Sequence, residues 1–135
     1  MEVEWFSPEE LDIQIKKHVE PTFTVLDIGP GIRPQAFFRP KVHICCEPHA
    51  EYVSVLRDRF RHVPGLLPIQ STAKDLLDKL PDRSIDTIFL VDVIEHIPKP
   101  EGRKILTSCQ RVAAKQVVVF TPLGFMPQDY EETEV

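Results

Sequence analysis

Short apolar runs punctuate the chain at positions 22–28, 42–46, 66–69, 85–91 and 117–120. Each is too short for a helix. Turn-forming residues follow three of them: Gly29-Pro30-Gly31, Glu47-Pro48 and Thr121-Pro122. Such runs read as buried strands. The stretches between them carry helical spacing. Positions 49–62 place Tyr52, Val55, Leu56 and Phe60 on one side, positions 73–80 read as helical, and positions 100–113 place Ile105, Leu106, Cys109 and Val112 together. Ahead of the first strand, Ser7-Pro8-Glu9-Glu10 is a helix start, with serine to cap, proline at the first helical position and Glu10 placed for a capping box. Leu11, Ile15 and Val19 then repeat at spacing four, and Pro21 ends the helix.

Strands alternate with helices, and the strands are apolar on both faces. This predicts an α/β fold: a doubly wound, mostly parallel sheet covered by helices on both sides. Only positions 32–41 break the alternation. Pro34 and Pro40 leave little room for a crossover helix there, so a short helix or irregular coil is expected around 35–39. With 135 residues the chain suits one domain. It divides into an N-terminal helix (1–20), a core (21–125) and an acidic tail (126–135).

Composition narrows the function. No apolar stretch is long enough to span a membrane, and the N-terminus has no signal-type apolar segment, so a cytoplasmic location is expected. A net charge of −5 gives no nucleic-acid signature. The mixed run Arg57, Asp58, Arg59, Arg61 reads as a solvated helix face. Cys45, Cys46 and Cys109 lack the spacing of a disulfide framework or a zinc site, and no metal is implied.

The candidate chemistry lies after the first strand, in Val25-Leu26-Asp27-Ile28-Gly29-Pro30-Gly31. In a doubly wound sheet this loop binds nucleotides, and its glycines let the backbone approach a ligand closely. Glu47, at the end of the second strand, can accept hydrogen bonds from both ribose hydroxyls. A nicotinamide-dependent enzyme would share that acid. However, a dinucleotide fingerprint needs a third glycine where Pro34 stands, and Asp27 sits badly beside a pyrophosphate. Asp27 suits a cationic ligand end instead. S-adenosylmethionine carries an ammonium and a sulfonium and no phosphate.

These segments together resemble a known family. VLDIGPG is similar to the first motif of class I S-adenosylmethionine-dependent methyltransferases, and CCEPH to their second-strand acidic motif. IQSTAKDLLDKLPDRSIDTIFLVDVIEHI and VVVFTPLGF resemble the third-to-fourth-strand segment and the fifth strand of the type 11 group. The resemblance spans about residues 20–125 and implies a Rossmann-like sheet. It implies that Asp27, Gly29 and Gly31 line the methionine end, that Glu47 holds the ribose with Pro48 beside the adenine, and that Thr72 and Ala73 form the adenine-contacting turn. The family often has aspartate where Thr72 stands, which shifts that contact to backbone groups. Asp92 and Val93 would lie near the sulfonium and methionine moiety. His96 is either the general base that deprotonates an acceptor or a packed structural histidine. The expected product is S-adenosylhomocysteine, and a small-molecule acceptor is slightly favoured. The rival reading is a non-catalytic cofactor-binding or protein-interaction module. Complete family members carry a further antiparallel strand pair for which no sequence remains here. Strand 117–120 is therefore expected to be an apolar edge that a second copy, a partner or the tail after Pro122 covers.

Overall fold

The computed structural model describes residues 7–121; the expected acidic tail at 126–135 and positions 122–125 of the expected core lie outside the described residues. The first helix, α1 (Pro8–His18), starts as its sequence dictates: Ser7 Oγ accepts the Glu10 amide at 3.3 Å, with proline in the first turn. It stops at the extended Val19, ahead of Pro21. Five strands follow: β1 (Thr24–Ile28), β2 (Val42–Glu47), β3 (Leu66–Gln70), β4 (Ile85–Val91) and β5 (Ala113–Phe120). Between them lie α2 (Ala50–Arg59), α3 (Ala73–Lys79), a 3-10 turn (Ile94–His96) and α4 (Lys99–Val112).

All neighbouring strands pair in parallel, in the order β3-β2-β1-β4-β5. Pleating turns Leu26, Ile28, Ile88 and Leu90 to one face, where they pack with Leu77, Ile105, Cys109 and Val112 of α3 and α4. Val25 and Phe89 point to the other face, against Ile15 of α1, Val19, Phe37 and Phe38. Each fully buried side chain of this size contributes about 1.5–3 kcal/mol. The β1–β4 register is pinned at one end by a reciprocal link. Thr24 N donates to Asp86 Oδ2 at 3.1 Å, and Asp86 N donates to Thr24 Oγ1 at 2.8 Å. That link holds the two strands whose far ends carry the site.

Two local expectations change, at α2 and β5, and the coil alternative holds for the 32–41 segment. In α2 the buried pair is Val53 and Leu56, whereas Tyr52 and Val55 are 43% and 42% exposed. The helix is shorter than the sequence suggests, and its face is turned one residue towards Val53. Residues 32–41 form no helix at all. Gln35 organises them instead: its Oε1 accepts the Phe37 amide at 2.9 Å and its Nε2 donates to the Phe38 carbonyl at 3.0 Å. Finally, β5 begins at Ala113, directly after α4, well before its apolar run. Pairing with β4 recruits the polar Lys115 and Gln116 that the hydrophobic pattern leaves out.

Among the described residues β3 and β5 are the sheet edges. Pro68 removes one donor from β3. Val119 of β5 is 44% exposed. Among the described residues, no helix is long and apolar enough to cross a membrane.

Candidate functional site

Strand order reverses direction between β1 and β4, so the loops leaving their carboxyl ends diverge and open a crevice. The β1 loop enters it through two glycines in the left-handed region, Gly29 at φ +62° and Gly31 at φ +60°. The Gly29 amide donates to the Cys46 carbonyl at 2.9 Å, which carries the β1–β2 pairing one step past the strand. A Cβ on Gly29 would stand 3.1 Å from Val93 Cγ2, so this glycine is where the β1 loop packs on the segment after β4. A Cβ on Gly31 would meet no heavy atom within 4 Å. Its conformation requires glycine, and the space in front of it is open.

Glu47 is almost fully buried at the end of β2. Its Oε1 accepts the Gly31 amide at 3.0 Å and its Oε2 accepts the His49 amide at 2.8 Å. The carboxylate thus braces the glycine loop and the residue ahead of α2, with Pro48 lying between Glu47 and His49 in sequence. Each carboxylate oxygen has a second lone pair for a ligand hydroxyl. The Glu47 carbonyl accepts the Ser71 amide at 3.1 Å, bringing the turn after β3 alongside. Thr72 caps α3 there, its hydroxyl accepting the Asp75 amide at 3.2 Å. Ala73 is fully buried in the core, so only its backbone is available to a ligand.

The wall opposite is the segment after β4. Asp92 is exposed, with φ +54°, a conformation that aspartate tolerates better than most residues, and its amide donates to the Phe120 carbonyl at 2.9 Å. The reversal drops Val93 into the core beneath Gly29. His96 follows in the 3-10 turn with its side chain 42% exposed, its Nε2 3.5 Å from Glu95 Oε1. It is not packed into the core.

Asp27 is held differently from the expectation of a carboxylate free to face a ligand. It is buried, and its Oδ2 accepts both the Gln35 amide at 2.7 Å and His43 Nε2 at 2.9 Å. His43 and Gln35 were not singled out by sequence, yet they tie β1, β2 and the 32–41 segment together at this carboxylate. The structure therefore brings Gly29, Gly31, Glu47, Pro48, Thr72, Asp92 and Val93 to the strand ends and sets Asp27 beneath the loop. The three thiols are buried. Burial raises all of them, Cys46 and Cys109 to about 12 and Cys45 further. Among the described residues no three His, Cys, Asp or Glu side chains cluster as a metal site.

Comparison with known proteins agrees with this fold. The family described as "Methyltransferase domain" matches residues 26–121, most of the chain. The chain belongs to the methyltransferase domain family. No curated protein matches it in sequence. Among solved structures this methyltransferase domain is similar to a SAM-dependent methyltransferase from Archaeoglobus fulgidus, with a TM-score of 0.63 and 17% identity over 86% of this chain and 53% of that one. It is also similar to the YcgJ protein from Bacillus subtilis, with a TM-score of 0.65 and 26% identity over 82% of this chain and 49% of that one. A third similar structure is Haemonchus contortus phosphoethanolamine N-methyltransferase 1, with a TM-score of 0.62 and 17% identity over 78% of this chain and 23% of that one. The domain thus spans about half or less of the length of these structures.

Proposed function

We propose that the crevice binds S-adenosylmethionine and that the chain transfers its methyl group to an acceptor, releasing S-adenosylhomocysteine. One observation carries this reading: a buried acid, Glu47, fixed beside a glycine whose missing side chain leaves open space. That pairing suits a ribose lying against close-approaching backbone, and no arrangement of amides for a pyrophosphate is needed. Glu47 holds the ribose hydroxyls, and Gly29 and Gly31 admit the methionine end. Pro48, Thr72 and the Ala73 backbone border the adenine. Asp92 and Val93 close the opposite side. Asp27 acts by fixing the loop from below, and its negative charge favours a cationic ligand above it.

When bound, the cofactor supplies a methyl group already activated on sulfur. The protein's task is then to align the acceptor and exclude water. His96 is the group placed to take an acceptor proton, since it is partly exposed and sits against Glu95. A small molecule is the favoured acceptor class. Buried reduced thiols suit the cytoplasm. A second copy, a partner or the chain after Pro122 covers the outer edge of β5.

The test uses S-adenosylmethionine labelled on its methyl group, incubated with the chain and, separately, small-molecule and protein extracts of cells. Label appearing in a low-molecular-mass product, and lost with Glu47→Ala, supports transfer. Tight cofactor binding without transfer to small-molecule or protein fractions identifies the non-catalytic module instead.

A further inference from the structure

A cavity of about 500 Å³ lies outside the crevice, between the 32–41 segment and α2. Its origin is structural. Where a crossover helix would cover β1 and β2, the coil instead seats Phe37 and Phe38 against Phe89 of β4, at 5.8 and 6.1 Å between ring centroids. The space over β2 is left open, with His43 in its floor and Phe38 and Phe60 among its walls.

The charge around it is one-sided. Arg33, Arg39 and Arg59 line it, and no aspartate or glutamate does, in a chain whose net charge is −5. Asp27, behind His43, is buried and already accepts two hydrogen bonds. Among the described residues neither Arg33, Arg39 nor Arg59 makes an ion pair. Arg59 is nonetheless held in place: its guanidinium donates to the Ile32 carbonyl at 3.1 Å and lies 5.3 Å from the Phe60 ring centre. A positioned guanidinium with no counter-charge, at the mouth of an apolar cavity of ligand size, is built to receive an anion.

We infer that this cavity binds an amphipathic anion, a carboxylate or phosphate ester with an apolar body. The apolar part lies between Phe38 and Phe60, and the anionic head meets the three arginines. The inference stands apart from the methyl-transfer reading, because the cavity and the crevice share no residue named for the cofactor.

The probe is 8-anilinonaphthalene-1-sulfonate, titrated into the full chain by fluorescence and calorimetry, with octanoate, octyl phosphate and octanol as competitors. The expected result is one saturable site displaced by octanoate or octyl phosphate and not by octanol, the better of the two identifying the preferred head group. Arg33→Gln with Arg39→Gln, both exposed, is expected to weaken the probe roughly fivefold without altering the fold. Arg59→Gln is expected to do the same, and rising salt to mimic both. Equal displacement by octanol, equal affinity in the arginine variants, or no saturable site overturns the inference.

Discussion

The Gly31 amide donates to Glu47 Oε1 at 3.0 Å, across sixteen residues of sequence. One side chain at the end of β2 thereby sets the shape of the loop that leaves β1. The same carboxylate meets the His49 amide at 2.8 Å through its other oxygen. Both donors are backbone groups, so no rotamer change relieves the loss of the acid.

Glu47→Ala removes the acceptors of two part-buried amides, those of Gly31 and His49. Each orphaned group costs about 1–3 kcal/mol. Denaturant unfolding is expected to show a loss in that range per amide, smaller where water enters. Retained stability in this variant contradicts the bracing role.

The glycines are expected to separate sharply. Gly31→Ala faces open space, so its cost is the left-handed conformation, about 1–2 kcal/mol. It is expected to fold and to lose affinity for adenosyl ligands. Gly65 has φ +81°, and a Cβ there would stand 2.0 Å from the Lys41 carbonyl oxygen. Backbone cannot yield cheaply, so Gly65→Ala is expected to lose about 4 kcal/mol or more. Thermal unfolding of the two variants side by side decides this, and a milder Gly65 variant contradicts the close approach.

Much of the fold is legible in the sequence because the interior strands β1, β2 and β4 are largely buried on both faces. The run 85–91 marks β4 to the residue: Ile85 and 88–91 are apolar, as an interior strand demands, and the polar Asp86 and Thr87 are satisfied by Thr24 and Thr22. The edge strand β5 is legible only where it is apolar; its start at Ala113 depends on pairing with β4. The turned face of α2 is misread because the aromatic Tyr52 and β-branched Val55 carry as much apolar character as Val53, and only packing chooses between them. In the site, the glycines and Glu47 are visible because their spacing follows from strand ends. The Asp27–His43 contact is not, since it depends on register. Val25 lies beside His43, which puts His43 and Asp27 on one face. Alternation along β2 carries that signal once the register is known.

Asp27→Ala leaves the Gln35 amide and the His43 ring without their acceptor. The expected effect is a loss of about 2–4 kcal/mol, with faster hydrogen exchange at the Gln35 amide. Unchanged exchange there would mean that the segment is held by other contacts.

The thiols set an alkaline limit. Below pH 9.0, the ordinary thiol value, both folded and unfolded chains keep their protons and the stability is complete. Above it the unfolded chain releases protons first, because burial holds the folded thiols at about 12 for Cys46 and Cys109. Stability is expected to fall as pH rises from about 9 towards 12. Native thiols are expected to resist a disulfide reagent at pH 8 and to react after unfolding. Rapid native labelling would contradict their burial.

The proposed cover of the β5 edge has its own readout. Sedimentation is expected to show a dimer that Val119→Lys dissociates, or a monomer whose β5 amides resist exchange. A monomer with freely exchanging β5 amides rules out any cover.

The central claim is cofactor binding in the crevice, and calorimetric titration tests it most directly. S-adenosylmethionine, S-adenosylhomocysteine and NAD are titrated separately into the chain and into its Glu47→Ala variant. The expected result is micromolar binding of both adenosyl ligands, no binding of NAD, and loss of binding in the variant that still folds. Absence of binding by both adenosyl ligands to the folded wild-type chain would contradict the account.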